Sequence, residues 1–349
     1  MQRERLELIR QDLATALEGS LDSLHALRGG CLLVTGGTGF IGTWLAELAS
    51  YLNDDHSFDL RLILLARNTN IFAEATPHLA NRPQIRLFQS DVRNLRDIPS
   101  EVNWIIHAGA TPDNRVHNSD PLRTIETILG GTKAILEGAI RLPNLEGLLN
   151  LSSGLVYGPQ PSCLERIAED DFHGFDSSAF GSVYAEAKRM AEALCFAYAN
   201  QHRIRVTNAR PFAFIGPYQH LDRPWAINNF IRDGLHGGPI RILGDGETVR
   251  SYMYPADMAV WLLAILATGH AGVSYNVGSP DRVTLQAAAE LVAGQLAARP
   301  KITVSAASAH HTGHSHFVPD VTRAGKSLGL QLHFDLATTV RRTLQWNSL

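Results

Sequence analysis

Cysteine is scarce, with three in 349 residues. Cys31, Cys163 and Cys195 are odd in number and show neither a disulfide framework nor metal-ligand spacing. They read as small buried apolar residues of a chain in a reducing cytoplasm. An excess of charge of one sign is also missing. A net charge of −3 with scattered arginines offers no basic, aromatic-laced surface for nucleic acid and no attraction to an anionic membrane. Long apolar runs are absent: the longest, 258–268, is too short to cross a bilayer, and Met1-Gln2-Arg3-Glu4-Arg5 does not begin a signal peptide. There are no internal repeats and no low-complexity tracts. What is present, 45% hydrophobic and 19% charged residues, suits a soluble globular chain of one large or two modest domains.

Leu6, Ile9, Leu13, Leu17, Leu21 and Leu24 recur at helical spacing, so 3–27 reads as one amphipathic helix with a packing or oligomerisation role. From Gly30 onward, apolar strands (31–34, 60–65, 84–88, 104–107, 147–151, 204–207) alternate with helices (40–51, 121–140, 182–202). Such alternation predicts α/β architecture, a doubly wound parallel sheet of Rossmann type covered on both faces. After Arg210-Pro211, glycine and proline punctuate the chain and the elements shorten. The expected division is an N-terminal helix at 1–29, a dinucleotide-binding domain at 30–210, and a smaller substrate-binding cap at 211–349 that returns some segments to the main sheet. A ligand cleft would then lie at the carboxyl ends of the strands.

Thr35-Gly36-Gly37-Thr38-Gly39-Phe40-Ile41-Gly42 follows the first strand and opens the first long helix. Gly36, Gly39 and Gly42 permit a tight turn, close approach of a pyrophosphate to backbone, and close helix–sheet packing, with phosphates at a helix N-terminus. The second strand ends in Leu65-Ala66-Arg67, where an NAD site usually has a carboxylate for the ribose hydroxyls. Arg67 suits a 2′-phosphate, which favours NADP over NAD; a solvated surface arginine is the alternative. Asp91 is placed to approach the adenine, or else to cap a turn.

Tyr184 and Lys188 stand four residues apart in a segment rich in helix formers. That spacing puts phenol and ammonium on one helical face, though it also arises by chance. A phenol titrates near 10, and bringing it near 7 takes roughly 4 kcal/mol. One cation at ~4 Å and an effective dielectric of ~20 supplies about that much. The pair is a workable acid/base device.

Taken together the motifs resemble the extended short-chain dehydrogenase/reductase family, in its nucleotide-sugar epimerase/dehydratase branch, over roughly residues 30–330. The resemblance rests on the glycine turn, Asp91-Val92, His107-Ala108-Gly109-Ala110, Ser152-Ser153-Gly154-Leu155-Val156-Tyr157-Gly158, Tyr184 with Lys188, Arg210-Pro211, Arg250-Ser251-Tyr252 with Asp257, and Tyr275-Asn276-Val277-Gly278. It implies that Ser153 hydrogen-bonds the reacting sugar oxygen, that Tyr184 is the general acid/base, and that Lys188 holds the nicotinamide ribose and lowers the tyrosine pKa. It further implies cofactor contacts from Gly36, Gly39, Phe40, Ile41, Gly42, Arg67, Asp91, Val92, Ala108, Gly109 and Ala110. Arg250 would bind the nucleotide diphosphate, and the long helices, including that of Tyr184, would form a homodimer.

Dehydratases of this family carry an Asp-Glu pair after the catalytic hydroxyl, where this chain has Gly154-Leu155. Elimination of water is therefore disfavoured, as is the related decarboxylation, which often uses a glutamate in this motif. The expected reaction is hydride transfer at a sugar carbon, C4 above all, of a nucleoside-diphosphate sugar, by an epimerase or a 4-keto-sugar reductase. A non-catalytic NADP-sensing scaffold on the same fold is the rival outside enzymology. Ile128-Leu129-Gly130 and Ala213 depart from the asparagines many relatives use for substrate. His310, His311, His314 and His316 form the one histidine cluster, but Gly313 argues for a loop and no further ligand completes a site, so no metal is expected.

Overall fold

A computed structural model describes residues 2–95, 97–110, 113–174, 176, 180–305 and 315–349. Seven strands, β1 (Cys31–Thr35), β2 (Arg61–Ala66), β3 (Ile85–Gln89), β4 (Trp104–His107), β5 (Gly147–Leu151), β6 (Val206–Pro211) and β7 (Ser274–Val277), form one parallel sheet in the order β3-β2-β1-β4-β5-β6-β7. The chain runs outward from β1 to β3, then returns to β4 on the other side. That reversal opens a crevice at the carboxyl ends of β1 and β4, where doubly wound sheets bind ligands. The residues of β1 and β5 are all buried, as the unbroken apolar runs require of a sheet covered on both faces.

The N-terminal segment departs from the single helix expected. It forms α1 (Gln2–Ala16) and then a 3₁₀ segment, Leu21–Leu27, parted at Gly19, whose φ of 72° no α-helix admits. Ile9, Leu13, Leu17, Leu24 and Leu27 join the largest core cluster of this same chain. The leucine stripe is thus spent on intramolecular packing. The helix expected over 121–140 likewise comes in pieces: Pro121–Ile125, a π turn at Glu126–Gly130, then α3 (Gly131–Ala139). Each extra residue of a π turn shifts register, a device common beside functional sites.

Helix α2 (Phe40–His56) lies between β1 and β2 in sequence, and α4 (Val183–His202) between β5 and β6. Beyond Pro211, helix α5 (Pro255–Thr268) is buried almost throughout and packs against α2 and the Leu21–Leu27 segment. Its all-round apolar character was the longest hydrophobic run of the sequence, and it lies in the core. Strand β7 joins the main sheet, while Ile227, Phe230, Ile231, Ile240, Ala288 and Val292 build a separate cluster. Cys31 and Cys195 are buried, but Cys163 is exposed, contrary to the expectation for all three. Among the described residues no helix is long and apolar enough to cross a membrane.

Candidate active site

The glycine turn has the shape its residues suggest. Gly36 has φ 65°, and a β-carbon there would lie 2.6 Å from the Ala108 carbonyl oxygen at the end of β4. A β-carbon on Gly42 would lie 2.2 Å from the Gly37 carbonyl oxygen, so the first turn of α2 closes on the loop only because that position is glycine. Gly39 is exposed at the N-cap of α2 and meets nothing nearer than the Gly36 carbonyl oxygen at 3.2 Å. This open backbone at a helix N-terminus fits a dinucleotide pyrophosphate. Phe40 stacks at 6.4 Å on Phe214, and Ile41 packs on the rim of the core.

Thr35 and His107 stitch the two central strands beneath the crevice. The Thr35 hydroxyl is 2.8 Å from His107 Nδ1 and accepts from the Ala108 amide at 3.0 Å, while His107 Nε2 lies 3.2 Å from the Thr132 hydroxyl. Burial, helped by the Lys188 charge, lowers the His107 pKa to about 3, so it is a neutral structural group. Gly109 and Val92 line this region, and Val92 is buried against Gly131. Asp91 caps the Val92–Asn94 turn, accepting from the Arg93 amide at 3.0 Å and from its guanidinium at 3.1 and 2.8 Å. The bond from the Arg93 side chain holds the Asp91 carboxyl down to about 2. Of its two expected roles, the capping one is formed. Arg67 is exposed near Asp91 and makes no ion pair among the described residues.

At the end of β5 the chain breaks into the Gly154–Tyr157 turn, capped by Ser153, whose Oγ accepts from the Leu155 amide at 3.1 Å. The Ser153 hydroxyl also interacts with the Tyr184 phenol, and that hydrogen bond favours the ionised phenol. Lys188, one helical turn on, is buried and donates from Nζ to the Leu151 carbonyl at 2.6 Å, 5.9 Å from the Tyr184 ring centroid. The three expected residues, Ser153, Tyr184 and Lys188, therefore meet at the carboxyl end of β5. The electrostatics differ from the expectation. Burial pushes Tyr184 up to about 12 against the Ser153 bond, and burial lowers Lys188 to about 8. Desolvation outweighs the lysine charge at this range, so a further positive charge beside the phenol is needed to ionise it near neutrality.

Gly154 is surrounded in a way the sequence did not disclose. A β-carbon on it would lie 2.7 Å from the Phe212 ring. Phe212 in turn stacks on Phe317 at 4.4 Å and approaches Tyr157 at 6.2 Å. The place of a dehydratase carboxylate is thus filled by an aromatic wall. Ser152 is buried behind Ser153, and Leu155 is exposed.

Two sets of contacts were missed from the sequence. Arg210 at the end of β6 makes a buried bidentate ion pair with Glu192 (2.9 and 2.7 Å) and donates to the Tyr157 hydroxyl at 2.8 Å and the Glu169 carbonyl at 2.9 Å. Burial is the largest single influence and opposes its charge, but the Glu192 hydrogen bonds and charge together with Tyr157 outweigh it and keep Arg210 ionised. Tyr157 passes the network to Asn276 on β7 at 2.5 Å. Glu192 is one turn beyond Lys188, so this pair ties the Tyr184 helix to the sheet; that i, i+4 spacing was the available signal. The other is His117, which lies against Tyr184. Arg250 is half-buried and uses its guanidinium on the Val249 carbonyl (2.8 Å) and on Ser315 (2.9 Å to both carbonyl and hydroxyl). His310, His311 and His314 lie outside the described residues, and His316 begins a short strand. Among the described residues no group of three or more His, Cys, Asp or Glu is arranged to hold a metal.

A family model described as the NAD dependent epimerase/dehydratase family matches residues 32–278. The chain belongs to that family, and is an enzyme of the extended short-chain dehydrogenase/reductase type. It is 31% identical over 264 residues to UDP-glucuronic acid decarboxylase 1 of Arabidopsis thaliana, an alignment covering 75% of this chain and 57% of that one. The chain therefore spans little more than half the length of that relative. Among solved structures it resembles a UDP-glucose 4-epimerase of Thermotoga maritima (TM-score 0.76, 20% identity, 91% and 98% of the two chains). It also resembles a UDP-glucuronic acid 4-epimerase of Bacillus cereus in complex with UDP-glucuronic acid and NAD (TM-score 0.75, 19% identity, 91% and 99%).

Proposed function

We propose that this chain transfers hydride at C4 of a nucleoside-diphosphate sugar, as an epimerase or a 4-keto-sugar reductase. The observation that carries it is the convergence of Ser153, Tyr184 and Lys188 on one point of the crevice, beside a Gly154 walled by Phe212. A nicotinamide dinucleotide, when bound, supplies the hydride acceptor or donor. Ser153 holds the sugar oxygen. Tyr184 removes the hydroxyl proton as the C4–H bond gives up hydride, and returns a proton to the oxygen in the reverse sense. Lys188 keeps positive charge beside the developing phenolate. Arg250 is proposed to bind the diphosphate, which requires its fork to exchange Ser315 for phosphate oxygens.

The Arabidopsis relative favours a second reading in which the sugar is a uronate. Oxidation at C4 makes the C6 carboxylate a β-keto acid; its C5–C6 bond then breaks to CO2, the electron pair passes to the C4 ketone as an enolate, C5 is protonated, and hydride returns to C4. With Gly154 and Leu155 where the motif often holds a glutamate, C5 would take its proton from another donor, which ranks this route second. Incubation with UDP-glucose, UDP-galactose, UDP-glucuronate and a dTDP-4-keto sugar, read by mass and proton NMR, separates the cases. Inverted C4 at unchanged mass marks an epimerase. Consumption of reduced cofactor with gain of two hydrogens marks a reductase, and loss of CO2 marks the uronate route. An untouched C4 in every substrate would overturn the proposal.

We also propose that Arg67 selects NADP over NAD. It stands exposed at the end of β2, and the nearby Asp91 carboxylate is already engaged by Arg93. Arg67→Gln is expected to weaken NADP binding about tenfold and leave NAD binding unchanged, as measured by calorimetric titration, since a charge-assisted bond contributes about 1.5–3 kcal/mol. Equal weakening of both would remove Arg67 from the 2′-phosphate.

A further inference from the structure

Tyr184 has a partner that the acid/base set does not use. The His117 imidazole lies flat on the Tyr184 ring, with centroids 4.3 Å apart and planes 8° from parallel, and both rings are buried. Among the described residues, the apolar neighbours of the phenol are aliphatic: Ile128, Ala187 and Ala191, with Ala110, Ile125 and Leu129 around them. Among the described residues, the polar groups shown beside it, besides His117, are Ser153 at the phenol oxygen and Lys188 on the same helix. Aliphatic walls confine a ring without fixing its plane, whereas a parallel aromatic partner gives it a preferred face. The phenol oxygen must keep its plane to stay on Ser153, and that bond is what opposes the upward pull of burial.

The placement of His117 is itself fixed from a distance. His117 lies on the short helix Asn114–Ser119, whose N-cap is Asp113. Asp113 is buried and accepts from the Arg115 amide (3.0 Å), from the Arg115 guanidinium (3.1 and 2.8 Å), and from Arg223 Nη1 at 2.9 Å. Arg223 comes from the segment after β6, 110 residues further along the chain than the Asp113 it grips. The Arg115 side chain above all, with Arg223, holds the Asp113 carboxyl far below the usual range, so the joint stays ionised at any physiological pH.

We infer that His117 is a positioning residue for Tyr184, held in place through Asp113 by the ion pair with Arg223 from the segment after β6. This deepens the proposed function and rests on Tyr184 being the acid/base. The stack keeps the phenol on Ser153; the ion pair carries the position of the Arg223 segment to the stack.

The test compares His117→Ala, His117→Phe and Arg223→Gln with the wild type, each checked for an unchanged melting profile and cofactor affinity. Loss of the stacked ring in His117→Ala is expected to lower kcat about tenfold at unchanged KM, and His117→Phe, which keeps a flat ring, to restore most of it. Arg223→Gln should give a smaller fall, about threefold, because Arg115 still grips Asp113. A second arm needs no sugar. In protein labelled with ¹³Cζ-tyrosine and saturated with the oxidised dinucleotide, the resonance missing from Tyr184→Phe reports the phenol. Its titration midpoint should move up in His117→Ala and stay in place in His117→Phe. Wild-type rates in His117→Ala, or a His117→Phe as impaired as the alanine variant, would overturn the inference. If the wild type turns over none of the sugars, the functional reading fails, while the position of the phenol midpoint still decides the role of His117.

Discussion

Tyr184→Phe is expected to lower turnover by about a thousandfold, within the range that a positioned acid/base contributes, while cofactor affinity changes by less than about twofold. The contrast follows from what the substitution removes. Phenylalanine keeps the ring, its stack on His117 and its place among Ile128, Ala187 and Ala191. Only the oxygen and its bond to Ser153 disappear. The direction of pH dependence follows from the same group. Burial holds the phenol protonated, up to about 12 in the free protein. Reduction, which needs a proton donor, should therefore stay level across neutrality, while oxidation should rise with pH as the phenolate grows. Lys188, lowered to about 8 by burial, loses its charge as pH climbs past that value and with it the support for phenolate. Oxidation should thus flatten on the alkaline side. Stopped-flow measurement of hydride transfer in both directions checks the assignment, and a Tyr184→Phe variant with near wild-type rates would remove Tyr184 from the chemistry.

The parts legible in the sequence were those governed by local rules. Continuous apolar runs gave away a sheet covered on both faces, and the strand–glycine–helix order located the turn around Gly36, Gly39 and Gly42. Spacing of four on one helix placed Tyr184 and Lys188 on one face, and the β5 motif brought Ser153 to them. What stayed hidden depends on contacts between distant segments. Nothing near Gly154 says that Phe212, on the far side of α4 in sequence, will occupy the space of its missing side chain. Nor could spacing tell that Asp91 would be claimed by Arg93, or that Arg250 would close on Ser315. The leucine stripe of the first residues predicted helix correctly as to face. Its periodicity ran on past Gly19, where backbone conformation overrides it. Electrostatic sign was the least legible quantity: an i, i+4 cation promised a lowered phenol, and burial reversed the balance.

Arg210→Leu is expected to destabilise the fold by about 3–5 kcal/mol, the usual result of leaving one partner of a buried ion pair without the other. Both side chains of the Arg210–Glu192 pair are almost fully enclosed, at 5% and 8% exposure. Removal of the guanidinium strands the Glu192 carboxylate, and also deprives the Tyr157 hydroxyl and the Glu169 carbonyl of their donor. The partner on α4 is the one that matters for chemistry. Glu192 lies one turn from Lys188 and two from Tyr184, so the pair fixes how that helix sits on the end of β6. The double variant Arg210→Leu with Glu192→Leu separates charge burial from shape. It removes both ions, so it should recover about 2 kcal/mol of the single-variant loss, with the Tyr157 and Glu169 groups still unsatisfied. Urea unfolding of the two singles and the double gives the coupling directly. If the three losses were additive, the pair would contribute nothing as a pair, and the anchoring of α4 would have to come from packing of Ala187, Ala191 and Cys195 alone. A double variant that is stable yet slow in hydride transfer would show that the ion pair is retained for the orientation of Tyr184 and Lys188 more than for stability.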